Sequence, residues 1–107
     1  MARASTTSDP FNAIAEPNRR HILELIAAEE RSVNDIADAL ELGQPSVSKH
    51  LLVLREVGLV TARKDGRRTM YRTNAEALRT IHDWAQMFAQ YWRGQLRRIK
   101  AHAEEKR

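Results

Sequence analysis

Short polar and basic side chains gather at the start of one helical stretch, QPSVSKHLLVLREVGLV (residues 44–60), and a basic hairpin sequence, TARKDGRRTMYRT, follows at once. Val47, Leu51 and Leu54 recur at helical spacing and form one apolar stripe, so Pro45, Ser46, Ser48 and Lys49 project from the opposite side of the first turns. That side carries hydroxyls and an ammonium group and no acid. A helix entering the DNA major groove needs such a face: short side chains let the backbone approach, and hydrogen-bonding groups meet base edges and phosphates. Pro45 suits the first helical position, where its missing N–H costs nothing, with Gln44 as the cap before it. Gly58 is placed to close the helix, which frees Leu59 to begin a strand.

The hairpin adds charge. Between Arg63 and Arg72 lie five basic residues (Arg63, Lys64, Arg67, Arg68, Arg72) and one acid, Asp65, an excess of +4 that equals the net charge of the chain. The remaining 13 basic and 13 acidic residues cancel. Asp65-Gly66 is a hairpin-turn signal, and Val60, Thr61, Thr69 and Tyr71 suit two short strands. A basic tip beside a polar helix face can reach phosphates or a minor groove next to the groove the helix reads. The alternative is a solvated surface hairpin, which the adjacency to the helix disfavours.

Those residues need supporting elements. Ser32 to Asp35 has the spacing of a capping box with Asp in place of Glu, and Ile36, Ala37 and Leu40 supply the apolar face of a helix before the recognition helix. Leu42-Gly43 is a tight connector in which glycine is expected to supply the backbone freedom. Further upstream, Asp9-Pro10 and Glu16-Pro17 mark two helix starts, with Phe11 and Ile14 on the first helix and Ile22, Leu25 and Ile26 on the second. His21 is expected at or near the surface. His50, at the border of the core stripe and the polar face, is open to two readings, a packed histidine or a phosphate contact.

With these residues in view, the chain resembles the ArsR-type winged helix-turn-helix transcriptional repressors of bacteria and archaea. DIADALELGQPSVSKHLLVLREVGLVTARKDGRRTMYR, residues 35–72, carries the resemblance, which extends more loosely from about Asp9 to the C-terminus. It implies a homodimeric, cytoplasmic repressor that binds double-stranded DNA at an imperfect inverted repeat, often in its own promoter. It also implies that Gln44, Ser46, Ser48 and Lys49 lie at the DNA interface and Arg67 and Arg68 at the wing tip. His50, Arg55 and Lys64 complete the candidate DNA-contacting set. The fold expected is mainly α with a small β-hairpin: about five helices, with residues 1–8 a disordered tail, 9–73 the DNA-binding domain and 74–107 a C-terminal dimerisation helix.

That last helix is expected to run unbroken from Ala75 to about Glu104, capped by Asn74. Leu78, Ile81, Trp84, Ala85, Phe88, Tyr91, Trp92, Gln95, Leu96, Ile99 and Ala103 fall on one stripe, too long for a small domain to cover. Its first half is expected to pack on the domain and the rest on a second copy. Phe11, Ile81, Trp84, Phe88, Tyr91, Trp92, Leu96 and Ile99 are the expected dimer contacts. Gly94 lies off the stripe, costs about 1 kcal/mol relative to alanine, and marks a kink or is simply tolerated.

At 107 residues the chain is one small domain, near the size at which a partner subunit contributes much of the stability. An isoelectric point near 10.0 suits a nucleic-acid binder. No apolar run approaches the roughly 18 residues of a membrane span, and MARASTTSD lacks the apolar core of a signal peptide, so a cytoplasmic location and no membrane partner are expected. With no cysteine, the chain has no disulfide, thiol sensor or thiolate metal site. Thiol-dependent members of the resembled family carry a Cys-x-Cys pair where this chain has Ser32 and Asn34. Others bind zinc between C-terminal helices through Asp-x-His and His-x-x-Glu or His-x-x-His pairs, and His82-Asp83 with His102 and Glu105 echoes them at the wrong spacing. Twenty residues on a helix span about 30 Å, so only an intersubunit site could form, and tetrahedral zinc needs four convergent ligands. No metal or cofactor is expected, and the effector stays unnamed. An enzyme is not expected either: four glycines at 43, 58, 66 and 94 make no phosphate-cradling loop, and no nucleophile has a paired base. Two function classes remain, a DNA-binding repressor and a winged-helix module whose basic wing meets an acidic protein. A zinc-responsive repressor is a variant of the first.

Overall fold

The computed structural model describes residues 9–105; the expected disordered tail lies outside them. Helices α1 (Pro10–Ala13) and α2 (Pro17–Ala28) precede the helix pair α3 (Val33–Leu40) and α4 (Gln44–Glu56). Strands β1 (Val60–Asp65) and β2 (Arg68–Thr73) form an antiparallel hairpin, and a 3₁₀ turn (Ala75–Leu78) leads to α5 (Arg79–Gln86) and α6 (Ala89–Glu105). The result is the expected mainly helical winged helix-turn-helix, with six helices among the described residues because the C-terminal helix is divided.

Local chemistry starts the helices where the sequence indicated. Asp9 caps α1 by accepting the Phe11 N–H at 2.9 Å, and Glu16 caps α2 by accepting the Asn18 N–H at 2.6 Å. The buried Ser32 hydroxyl accepts the Asp35 N–H at 3.2 Å and starts α3. Ile22, Ile26, Ile36, Val47, Leu51, Leu54 and Leu59 are fully buried and form one core; each contributes about 1.5–3 kcal/mol by leaving water. Thr73, at the end of β2, donates its hydroxyl to the Leu23 carbonyl at 2.7 Å and so ties the hairpin root to α2. A third, one-residue strand joins that root: Arg31 and Tyr71 exchange backbone bonds of 3.1 and 2.9 Å.

Four local expectations are corrected. Gly43, not Gln44, is the cap residue of α4; Gln44 is its first helical residue, and no side chain caps that end. The turn between α3 and α4 takes its left-handed residue at Glu41 (φ 55°), whereas Gly43 is extended. In the hairpin, Asp65 pairs with Arg68, so the two-residue loop is Gly66-Arg67 rather than Asp65-Gly66. Gly66 alone has positive φ, 67°, as in a type II′ turn. Asn74 holds the cap position, but of the 3₁₀ turn and without a side-chain capping bond; its side-chain amide donates to the Gly58 carbonyl at 3.2 Å and fastens the exit of α4 to the start of the C-terminal segment.

The C-terminal segment differs most. It opens as a 3₁₀ turn and breaks at Met87-Phe88, where the N–H groups of Met87 and Phe88 reach back three residues to Trp84 and Ala85. Gly94 lies inside α6 and does not make the break. The first half of the stripe packs on the domain only in part. Ala77, Leu78 and the intermediate Ile81 are partly covered, but Trp84, Phe88, Tyr91, Trp92, Leu96 and Ile99 stay exposed. Ring contacts run Phe11 to Trp84 (5.6 Å), Trp84 to Phe88 (5.3 Å) and Phe88 to Tyr91 (6.3 Å), so α1 and the two C-terminal helices share one aromatic surface. The radius of gyration, 18.6 Å, exceeds the roughly 13 Å of a compact chain of this length, because α6 extends away from the core.

Candidate nucleic-acid interface

Burial of Val47, Leu51 and Leu54 fixes the rotation of α4. Gln44, Pro45, Ser46, Ser48 and Lys49 are all exposed as a consequence, and Arg55 is exposed in the last turn. The first turns contain no acidic residue, and at their end the unpaired backbone N–H groups of the helix face solvent.

The hairpin meets this end of α4. Gln44, Arg67, Arg68 and Thr69 line one groove together with Ser32, Asn34 and Asp35 at the start of α3. The first residue of α4, the cap of α3 and the wing tip therefore face a common space. Arg55 and Lys64 line a second groove, which shares Thr69 and Tyr71 with the first. The hairpin is buried at its root, through Val60, Met70 and Thr73, and exposed from Arg63 to Arg68.

The basic residues of the wing are not equivalent. Arg63 makes a bidentate pair with Glu30, at 2.7–3.0 Å, which holds the Glu30 carboxyl below its usual range and its own guanidinium above. It braces the wing against the end of α2. Arg68 lies 3.9 Å from Asp35, a looser pairing that orients it over the cap of α3. Among the described residues, Lys49, Lys64 and Arg67 form no ion pair. Sequence reading could not separate these roles, because Glu30 is 33 residues from Arg63.

His50 is half-buried and accepts the Arg19 Nε–H on Nδ1 at 3.3 Å, while Arg19 also donates to the Ala13 carbonyl. The bond requires a bare Nδ1, which places the hydrogen of the neutral ring on Nε2. Burial, aided by Arg19 and Lys49 and opposed by Glu16, pushes the imidazole below its ordinary pKa. His50 thus joins α4 to the α1–α2 corner. His21 is exposed. His82 contacts the neighbouring Asp83 at 3.3 Å, and no three potential metal ligands lie together among the described residues. None of their helices is long and apolar enough to cross a membrane.

Comparison with known proteins points the same way. The family model for bacterial regulatory proteins of the arsR family matches residues 16–62. The transcriptional repressor SdpR of Bacillus subtilis is 31% identical over 74 residues, 69% of this chain and 82% of that protein. The HTH-type transcriptional repressor SmtB of Mycobacterium tuberculosis is 40% identical over 62 residues, 58% of this chain but only 46% of SmtB. Among solved structures, the homodimeric winged helix-turn-helix DNA-binding domain of Mb0332 from Mycobacterium bovis, a possible ArsR-family regulator, has a TM-score of 0.63 at 31% identity, over 84% of this chain and 91% of that one. An ArsR-like regulator from Rhodococcus sp. RHA1 has a TM-score of 0.68 at 26% identity, over 88% and 89% of the two chains.

Proposed function

Because the chain belongs to the arsR family of bacterial regulatory proteins, we propose that it is a sequence-specific double-stranded DNA-binding transcriptional regulator, a homodimeric repressor of an inverted-repeat operator working in the cytoplasm. One observation carries the reading: Gln44, at the exposed, acid-free start of α4, lines the same groove as the wing tip at Arg67 and Arg68. Residues 9–73 form the DNA-reading body, and the segment from 74 onward joins two copies.

In this reading α4 enters the major groove, Gln44, Ser46, Ser48 and Lys49 face base edges and nearby phosphates, and Arg67 and Arg68 neutralise the flanking backbone. Lys64 and Arg55 serve the adjoining groove along the wing. His50 acts through its bond to Arg19, by holding α4 in place. Repression follows from occupancy: a dimer on a promoter excludes the transcription machinery. With no cysteine, the chain has no thiolate with which to sense mercury or arsenic, and no effector is assigned.

Selection from randomised duplexes is expected to recover one inverted repeat, with half-site centres about one helical turn, or a multiple of it, apart. On that DNA, Gln44→Ala, Ser48→Ala or Lys49→Ala is expected to cost about 1–3 kcal/mol and to relax preference at particular base pairs. Arg67→Ala or Arg68→Ala should weaken operator and scrambled DNA alike and flatten the salt dependence by about one unit per lost phosphate contact. Wing variants that abolish sequence preference while the helix variants leave it intact would reverse the assignment of readout. Variants that leave all DNA binding untouched would favour the acidic protein partner.

A further inference from the structure

Leu52 is 60% exposed on α4, although every other large exposed hydrophobic among the described residues lies between Trp84 and Ile99. It stands one turn beyond Ser48 and continues the row Pro45, Lys49, Leu52, all exposed. Its immediate neighbours Leu51 and Val53 turn toward the core, so the helix presents Leu52 outward on the same side as its hydroxyl and ammonium groups. Single exposed leucines are common on protein surfaces; the placement of this one, one turn beyond Ser48 and Lys49 on the exposed side of α4, is what gives it a ligand.

The major groove exposes one apolar group among its donors and acceptors, the C5-methyl of thymine. Resting on the reading of α4 as the groove-entering helix, we propose that Leu52 is a specificity-determining residue that packs against a thymine methyl in each operator half-site. Gln44 lies eight residues upstream, about 12 Å along the axis, so Leu52 reads a different base pair from the one nearest the helix start. The contact contains no hydrogen bond. Its selectivity comes from removing a methyl group and an isobutyl side chain from water together, which a cytosine or a uracil at the same position cannot match.

The test replaces each thymine of the selected operator in turn by deoxyuridine, which deletes only the methyl, and measures affinity for wild type and Leu52→Ala. Wild type is expected to lose about fourfold at one position per half-site, the equivalent of one buried methyl at about 0.8 kcal/mol. Leu52→Ala should be indifferent at that position and keep its wild-type melting temperature, since the side chain is not in the core. A wild type insensitive to every replacement, a variant as sensitive as wild type, or half-sites without thymine would each overturn the assignment while leaving DNA binding in place. Should wild type retain no specific duplex at all, the reading of the protein as an operator binder fails first and this contact falls with it.

Discussion

A neutral imidazole held by an arginine makes the seating of α4 depend on protonation. The folded chain keeps His50 below its ordinary value of 6.5, chiefly through burial, so the unfolded chain takes up the proton more readily. The stability attached to this residue is therefore present above pH 6.5 and lost as pH falls through the lower folded value. We expect the melting temperature of wild type to drop more steeply between about pH 7.5 and 5 than that of His50→Gln, whose amide oxygen can still accept from Arg19 but does not titrate. Parallel pH profiles would refute this. The position of His50 at the edge of the core stripe was readable from spacing, but its partner was not, because Arg19 lies 31 residues away. The same holds for Arg63, which counts toward a basic tip in the sequence and is paired with Glu30 in the structure.

Among the elements, those with local causes were read correctly and those with distributed causes were not. Caps at Asp9, Glu16 and Ser32 are set by residues two or three positions away, and the stripe of α4 by its own periodicity. The break at Met87-Phe88 has no proline or glycine to announce it, and the bridge from Arg31 to Tyr71 is a single residue long. The turn of the helix pair was misassigned because glycine was credited with a conformation that Glu41 adopts. That misfit is testable. Glu41→Gly removes a left-handed strain of about 1–2 kcal/mol, offset by about 0.5–1 kcal/mol of chain entropy, and should raise the melting temperature by a few degrees. Gly66→Ala meets no atom within 4 Å and has φ +67°, so its cost of about 1–2 kcal/mol is backbone strain alone and should lower the melting temperature. An unstable Glu41→Gly or an unaffected Gly66→Ala would show these backbones to be unstrained.

At the scale of the whole molecule, an amphipathic arm extends from a small core. Because Trp92 is 54% exposed in the protomer, its replacement spares the domain's own packing. Trp92→Glu or Phe88→Glu would place a charge in the seam between two copies, a cost of several kcal/mol to association. Sedimentation should therefore give a dimer for wild type at micromolar concentration and a folded monomer for the variants, with the melting of the core retained. A monomeric wild type, or variants that stay dimeric, would refute the seam. The sequence indicated the stripe but not how much of it is free, since its apparent length hid the break at Met87-Phe88.

In the proposed dimer, the break at Met87-Phe88 would bear on which DNA is chosen. Were α6 to dock on a second copy, the break would stand between the reading body and the seam like the pivot of a pair of callipers, and its geometry would set the gap between the two α4 helices. Successive major grooves on one side of a duplex accept only certain gaps, about one helical turn apart. A change at the pivot would then alter the preferred spacer between half-sites and leave untouched the letters each half-site must contain.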